Sequence, residues 1–169
     1  MDKSAFYGSK LSIRVHELSA VDLLLYIKRT RCDPNSYVKL TAPTDSNQTY
    51  VPLITYVSHD KKYSNVVAYL LSKKVNLNVL VDPDESSSES STKSTPKTSR
   101  IDYDLLFYCD VSYMLTFIRH GAKIIYMDGL KTNIARSLVY ADFFRVGVLC
   151  KYSKKVKEIL PIVATPEHA

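Results

Sequence analysis

Two short apolar segments in the second half of the chain most constrain its fold. They are residues 104–109 (DLLFYC) and residues 123–127 (KIIYM), and each is followed by an aspartate. Strands that are apolar on both faces are typical of a parallel sheet covered on two sides by helices. Segments of helical periodicity follow both, which favours right-handed crossovers between parallel strands. The pattern therefore predicts an α/β domain of three layers with a mainly parallel sheet.

Helix signals in the first half are local and specific. Ser19 is a predicted N-cap, with Asp22 three residues later, and this helix is expected to end near Arg31 because a proline follows at position 34. Ser58 or Asp60 is expected to cap a second helix. The apolar stripe of that helix consists of Tyr63, Val66, Val67, Leu70 and Leu71. Such spacing predicts one buried helix face.

In the second half, Gly121 is a predicted left-handed C-cap that ends a short helix. Residues 134–159 are expected to form one long helix. Its inward face would hold Leu138, Ala141, Val148, Tyr152, Val156 and Ile159. Further strands are expected at residues 10–15, 37–40, 50–57, 77–81 and 160–165. These elements complete the predicted α/β domain.

The chain has one compositionally distinct insert. With 169 residues, of which 46% are hydrophobic, residues 1–169 can bury one core and are expected to form a single domain. Residues 83–100 (PDESSSESSTKSTPKTSR) contain no large apolar residue, so they cannot offset their ordering entropy and are predicted to be a disordered surface loop. Ser86, three residues before Glu89, and Thr95, before a proline, are candidate phosphorylation sites; the alternative is a merely solvated loop.

Glycine and cysteine usage exclude several kinds of site. The four glycines match neither a P-loop nor a dinucleotide-binding fingerprint, and no cofactor is predicted. The three cysteines form no C-x-x-C pair and no zinc-ligand spacing with histidine. Neither a secretory signal nor an apolar segment of membrane length is seen. The sequence therefore predicts reduced cysteines, no membrane partner, and a location in the nucleus or cytoplasm.

Three aspartates follow predicted strands: Asp82, Asp110 and Asp128. The carboxyl ends of parallel strands meet at one edge of a sheet, where ligands usually bind. Clustered carboxylates suit Mg²⁺, so these residues are a candidate metal site for a Mg²⁺-dependent nuclease. The alternative is that each aspartate is only a loop or helix-cap residue.

The chain is basic, with a net charge of +6. Part of the excess is concentrated in Arg145, Lys151, Lys154, Lys155 and Lys157. Such a patch can contact the phosphates of a nucleic acid, and the 13 tyrosines offer surfaces on which bases can stack. The alternatives are a solvated lysine face and tyrosines packed in the core. The five basic residues are candidate nucleic-acid contacts.

Residues 105–165 resemble the core of RecA-like recombinases. Residues 123–128 (KIIYMD) match the Walker B strand, with Asp128 at the position of its carboxylate, and residues 160–168 (LPIVATPEH) match a later strand that ends in a polar turn. The only fragment of a Walker A loop is Gly8-Ser9-Lys10. The chain is similar to small recombinase paralogs without this loop, such as the subunits of the yeast Shu complex. The resemblance implies a RecA-like core fragment without a phosphate-binding loop, and so a pseudo-ATPase.

Three hypotheses for function follow. The resemblance implies a non-catalytic subunit of a nuclear DNA-repair or recombination assembly, which binds partner proteins in a hetero-oligomer and could contact DNA. The second hypothesis is the Mg²⁺-dependent nuclease built on the strand-end aspartates. The third is a C2-like module that binds lipid or protein, which residues 11–15 (LSIRV) and 33–40 (DPNSYVKL) echo, although a helical second half fits such an all-β fold poorly.

Overall fold

The computed structural model of the chain describes residues 15–39, 50–81 and 103–164. The helices in these stretches are α1 (Ala20–Thr30), α2 (Leu53–Ser58), α3 (Ser64–Ser72), α4 (Leu105–Tyr108), α5 (Met114–Arg119), α6 (Leu130–Val139), α7 (Phe143–Tyr152) and α8 (Lys154–Val163). Three-residue 3₁₀ helices span Val15–Glu17, Lys61–Tyr63 and Val111–Tyr113. The serine-rich insert, with Ser86 and Thr95, lies outside the described residues.

The strands in the described stretches are short, and both pairs are antiparallel. β1 (Tyr37–Lys39) pairs with β2 (Tyr50–Pro52), and β3 (Leu80–Val81) pairs with β4 (Tyr103–Asp104). The strand predicted at 37–40 is formed over all of its described residues, but only fragments of those predicted at 50–57 and 77–81 are formed, while residues 10–14 and 40 lie outside the described ranges. The prediction of a three-layer α/β domain with a mainly parallel sheet and a RecA-like core is wrong.

The two apolar segments that suggested a sheet adopt other conformations. Residues 105–108 form α4, a single helical turn in which Leu105, Leu106 and Phe107 are buried. Residues 123–127 pair with no strand among the described residues. The periodicity of a short apolar segment does not distinguish a strand from a helical turn.

The helix predicted over residues 134–159 is three helices. α6 is closed by Ala141, which has a left-handed backbone (φ 58°). α7 ends at Ser153, whose extended backbone (φ −126°, ψ 114°) also serves as the N-cap of α8. The Oγ of Ser153 accepts a hydrogen bond from Val156 N at 3.3 Å. Because α8 continues to residue 163, the strand predicted at 160–165 is a second error.

The helix signals of the first half are confirmed. Ser19 Oγ accepts a hydrogen bond from Asp22 N (3.1 Å) at the start of α1, and this helix closes at Arg31. Asp60 is the cap of the next helical segment, since its Oδ1 accepts from Lys62 N at 2.9 Å. All five side chains of the predicted apolar stripe are buried. Local capping and amphipathic spacing therefore determine this part of the fold.

Four helices end in the same way, which reveals a repeated unit. After α1, α3, α5 and α6 one residue has a left-handed backbone, and the residue after it donates its N–H to the carbonyl five residues earlier. The left-handed residues are Arg31 (φ 51°), Lys74 (φ 60°), Gly121 (φ 97°) and Ala141 (φ 58°). The closing bonds are Cys32 N to Ile27 O (3.4 Å), Val75 N to Leu70 O (3.2 Å), Ala122 N to Phe117 O (2.9 Å) and Asp142 N to Ser137 O (2.8 Å). The C-cap predicted at Gly121 is confirmed.

Side-chain amides join successive units. Asn35 and Asn78 each follow a left-handed residue by four positions, and each accepts a hydrogen bond from the backbone of the next unit. The distance from Asn76 N to Asn35 Oδ1 is 2.8 Å, and that from Lys123 N to Asn78 Oδ1 is 2.9 Å. These bonds link the first unit to the second and the second to the third. The described residues therefore form linked helical units rather than a sheet with helical layers.

The hydrophobic core lies where these helices pack on one another. α1 and α2 pack on α3, and α6, α7 and α8 pack on one another. Ile27, Leu70 and Phe117 are fully buried, and their carbonyls accept the closing bonds of three helices. Phe117 also stacks on Tyr113, with ring centroids 5.7 Å apart. In three of the four units the same position thus fills the core and closes the helix, and in the fourth it is held by the polar Ser137.

The equivalent caps at Gly121 and Lys74 respond to substitution in opposite directions. A Cβ at Gly121 meets no atom within 4 Å, so Gly121→Ala changes only the backbone preference at φ +97° and is expected to lower the free energy of unfolding by about 1 to 2 kcal/mol. Lys74→Gly relieves the left-handed strain of a side-chain-bearing residue and is expected to raise that free energy by about 0.5 to 1 kcal/mol. Urea unfolding of both variants measures the two shifts; shifts of equal sign would contradict the shared cap.

Candidate functional site

Of the three aspartates predicted to bind Mg²⁺, Asp110 and Asp128 are in the described part of the chain. Asp110 caps the second-half 3₁₀ helix, accepting from Ser112 N (3.0 Å) and from the Ser112 hydroxyl. The hydroxyl bond, followed by the backbone bond, holds the pKa of Asp110 below its usual range despite opposing desolvation. Asp128 is exposed in the turn before α6, and Asp82 lies outside the described residues. Within the described ranges, no group of three or more His, Cys, Asp or Glu is placed to hold a metal ion.

The five basic residues predicted to contact nucleic acid divide into one buried and four exposed side chains. Arg145 is buried: its Nε donates to Asp142 Oδ2 and its Nη1 to the carbonyl of Leu106, both at 2.7 Å. The exposed members are Lys151, Lys154, Lys155 and Lys157. Arg145 therefore holds α7 against α4, and the lysines form the solvent-facing part of the basic region.

The cysteines lie within the packed structure. Cys109 is fully buried, and burial raises the pKa of its thiol to about 11 although Arg145 lies nearby. Burial likewise raises the pKa of the half-buried Cys32. Thiolate is the nucleophilic form of cysteine, so a thiol whose pKa is raised in this way is suited to packing rather than to nucleophilic chemistry.

Four strongly exposed large apolar side chains lie close together in the described part of the chain. Around the junction of α6 and α7, the exposed fractions are 80% for Val139, 76% for Tyr140, 63% for Phe143 and 57% for Phe144. We call these four residues the aromatic turn. Large contiguous apolar surface is uncommon on monomeric proteins and usually marks a contact site. The aromatic turn is therefore the candidate functional site.

The fold accounts for the exposure of this turn. The left-handed Ala141 redirects the chain between α6 and α7, and Asp142, the next residue, is fixed by its salt bridge to Arg145. α7 buries Arg145, Val146 and Leu149, which share one helix face. Because successive helical residues are about 100° apart, the two phenylalanines that begin α7 lie off this face and point to solvent.

Gly147 lies on the outward side of α7, in the same row as Phe144 and Lys151. A Cβ at this position meets no atom within 4 Å, so packing inside the fold does not require glycine. A glycine in a helix interior costs about 1 kcal/mol relative to alanine. Its effect on the surface is to leave the α7 backbone open between an aromatic and a cationic side chain.

A cleft adjoins the aromatic turn. It has a volume of about 190 Å³ and is lined by Tyr103, Phe107, Asn133, Arg136, Ser137, Tyr140 and Asp142. Tyr140 belongs to both features, so the cleft and the turn form one continuous surface.

No protein-family model, curated protein or solved structure matches this chain. The function is therefore inferred from this surface. None of the helices that the structure describes has both the length and the apolar character needed to cross a bilayer.

Sequence reasoning missed the aromatic turn because it treated α6, α7 and α8 as one helix. In that interpretation Ala141 and Tyr152 faced inward, whereas both are exposed. The available signal was the adjacent pair Phe143-Phe144, which no single stripe of 3.6-residue period can bury together. Two large apolar residues outside the predicted stripe mark either a helix break or an exposed contact.

Proposed function

We propose that the chain is a non-catalytic interaction module that binds a partner protein through the aromatic turn and the outward face of α7. The exposure of four large apolar side chains within six residues carries the proposal. Exposed aromatic side chains are the usual anchors of protein interfaces, since they bury much area at little cost in conformational entropy. The linked helical units support this surface.

The charges further along α7 and on α8 favour a partner segment that is both apolar and acidic. Lys151 lies on the same face of α7, and Lys154, Lys155 and Lys157 follow on α8. The acidic groups nearby are already paired, Asp142 with Arg145 at 2.7 Å and Glu158 with Lys155 at 4.0 Å. An acidic segment would match this surface in sign, and charge complementarity accelerates association and selects among partners.

Gly147 supports close packing of the partner on α7. Its cost to helix stability has no compensation inside the fold, because the space around its Cα is open. A partner backbone that approaches α7 at this point would supply the compensation. The hypothesis of a nuclear DNA-recombination subunit shares the partner-binding step with this proposal, and its DNA-related part stays a prediction.

Peptide display on the purified full chain tests the proposal. Random 12-residue peptides displayed on phage are selected on the chain, and the Kd of the synthesised winners is measured for wild type, Phe144→Ser, Gly147→Ala and Val21→Ser. We expect Phe144→Ser to raise Kd by at least about tenfold, as for loss of an interface anchor. We expect Gly147→Ala to weaken binding while raising the free energy of unfolding by about 0.5 to 1 kcal/mol.

Val21→Ser is the matched control, since Val21 is also an exposed apolar side chain (61%) but lies on α1. It should leave Kd unchanged. Selection of no peptide, or equal losses in the control and Phe144→Ser, would overturn the proposal. So would concentration-dependent dimers that Phe144→Ser abolishes, because the occupant would then be a second copy. Salt-sensitive binding of a DNA duplex that depends on the four exposed lysines and not on Phe144 would assign the surface to nucleic acid instead.

A further inference from the structure

The cleft beside the aromatic turn has a cation on an aromatic support. Arg136 of α6 reaches Tyr103 of β4, where its guanidinium Nη1 donates to the phenol oxygen. Its Cζ lies 5.2 Å from the centroid of the Tyr103 ring. Phe107 forms an apolar wall of the cleft, and the exposed Tyr140 stands at its rim. This arrangement places the guanidinium against an aromatic ring in a cleft whose lining is part aromatic and part polar.

The volume of the cleft limits the size of a ligand that it can hold. Its volume of about 190 Å³ is below the ~300 Å³ at which pockets for drug-sized molecules begin. It exceeds the ~150 Å³ of an engineered cavity that binds benzene. The cleft is therefore of a size that suits one amino-acid side chain.

The positive charge of Arg136 in the cleft favours an acidic side chain as the ligand. Among the described residues no carboxylate forms an ion pair with Arg136, and the carboxylate that lines the cleft, Asp142, is paired with Arg145. A guanidinium presents its N–H donors in a planar fork that matches the two oxygens of a carboxylate. The donors of Arg136 that do not reach Tyr103 suit a carboxylate that enters from the open side.

We propose that this cleft binds the carboxylate of an aspartate or glutamate side chain from the partner segment that docks on the aromatic turn. The inference rests on the proposed function, because Tyr140 joins the two surfaces and one segment would occupy both. The acidic side chain enters beside Arg136 while its apolar neighbours pack on Phe143 and Phe144. The cleft then sets specificity, and the turn supplies most of the affinity.

The selected peptides test this subsite. We expect them to share one acidic residue close to apolar residues, and we expect Arg136→Gln to raise their Kd about tenfold. Arg136→Lys keeps the charge without the fork and should raise Kd about threefold. Arg119→Gln, which removes an exposed arginine of α5, is the matched control and should change Kd less than twofold. Replacing the acidic residue of the peptide by its amide should weaken binding to wild type and have little effect on Arg136→Gln.

The outcome separates the two proposals. If Phe144→Ser weakens binding and Arg136→Gln does not, the interaction module stands and the carboxylate subsite is overturned. If the peptides show no shared acidic residue, the subsite is likewise overturned. Because the peptide amide exchange is made outside the protein, a loss that appears with wild type and disappears with Arg136→Gln supports the subsite even where Arg136→Gln is less stable.

Discussion

Replacing Arg145 by alanine is expected to lower the free energy of unfolding by about 3 kcal/mol, a large share of the stability of a small domain. The side chain is only 9% exposed and bridges two helices, with Nε on Asp142 and Nη1 on the carbonyl of Leu106. Its removal leaves that carbonyl buried without its donor and the carboxylate without its cation. The loss at Leu106 costs more than the net value of the bond, because its buried carbonyl does not regain water, whereas the carboxylate of Asp142 is 30% exposed and regains part of its hydration.

Urea unfolding at neutral pH measures this effect, with two companion variants. Arg145→Lys keeps a charge but has one nitrogen in place of the guanidinium fork, so it should lose about half as much as Arg145→Ala. Lys151→Ala removes an exposed cation of the same helix and should change stability by less than about 0.5 kcal/mol. Equal stabilities of Arg145→Ala and Lys151→Ala would show that Arg145 is a surface cation, as the sequence had suggested.

Arg145 shows why the sequence predicted the basic region but not the roles within it. Charge and spacing place Arg145 and the lysines close together, and four of the five side chains are indeed exposed. Burial depends on which helix packs beside the residue, and the acceptor on Leu106 is 39 residues away in the chain. Such a contact leaves no local pattern. The same is true of the aromatic turn, whose exposure depends on a left-handed Ala141 that its residue type does not indicate.

The sequence-based predictions succeeded where interactions within a few residues determine the structure. They failed where a residue's hydrogen-bond or packing partner is distant in the chain. The cap at Ser19, the stripe from Tyr63 to Leu71 and the left-handed Gly121 are each determined within a few residues. The apolar residues 123–127 pair with no strand in the described part of the chain, and side chains bind their backbone N–H groups instead. Asn78 and Asp104 supply those acceptors. A sequence pattern shows that such a segment is apolar and does not show what satisfies its hydrogen bonds.

Asp104 is the second residue whose loss is expected to be large. Its side chain is buried in β4, where Oδ1 accepts from Ile125 N (2.7 Å) and Oδ2 from Tyr126 N (3.2 Å). Asp104→Ala leaves both N–H groups without acceptors, so the segment before α6 loses these two bonds to β4. We expect a loss of about 2 to 4 kcal/mol in the free energy of unfolding. Asp104→Asn, the isosteric control, keeps one acceptor and should lose about half as much.

The pH dependence of this loss identifies the buried carboxylate as its cause. Burial raises the pKa of Asp104 above its ordinary value of 3.8, against the opposing effect of the two backbone N–H bonds. Between the unfolded and the folded pKa the folded state binds more protons, so the stability due to Asp104 falls as pH rises through this window. The deficit of Asp104→Ala should therefore be larger near pH 4 than at pH 7.

Urea unfolding of wild type and Asp104→Ala measures this difference at a series of pH values between 4 and 7 at which both proteins unfold reversibly. Asp110, whose pKa is lowered, gives the opposite slope, but it is common to both proteins and cancels in the comparison. A deficit that shrinks towards acid pH would mean that hydrogen bonds to the ionised carboxylate outweigh its desolvation. A deficit below about 0.5 kcal/mol at every pH would mean that the segment before α6 is held by packing alone.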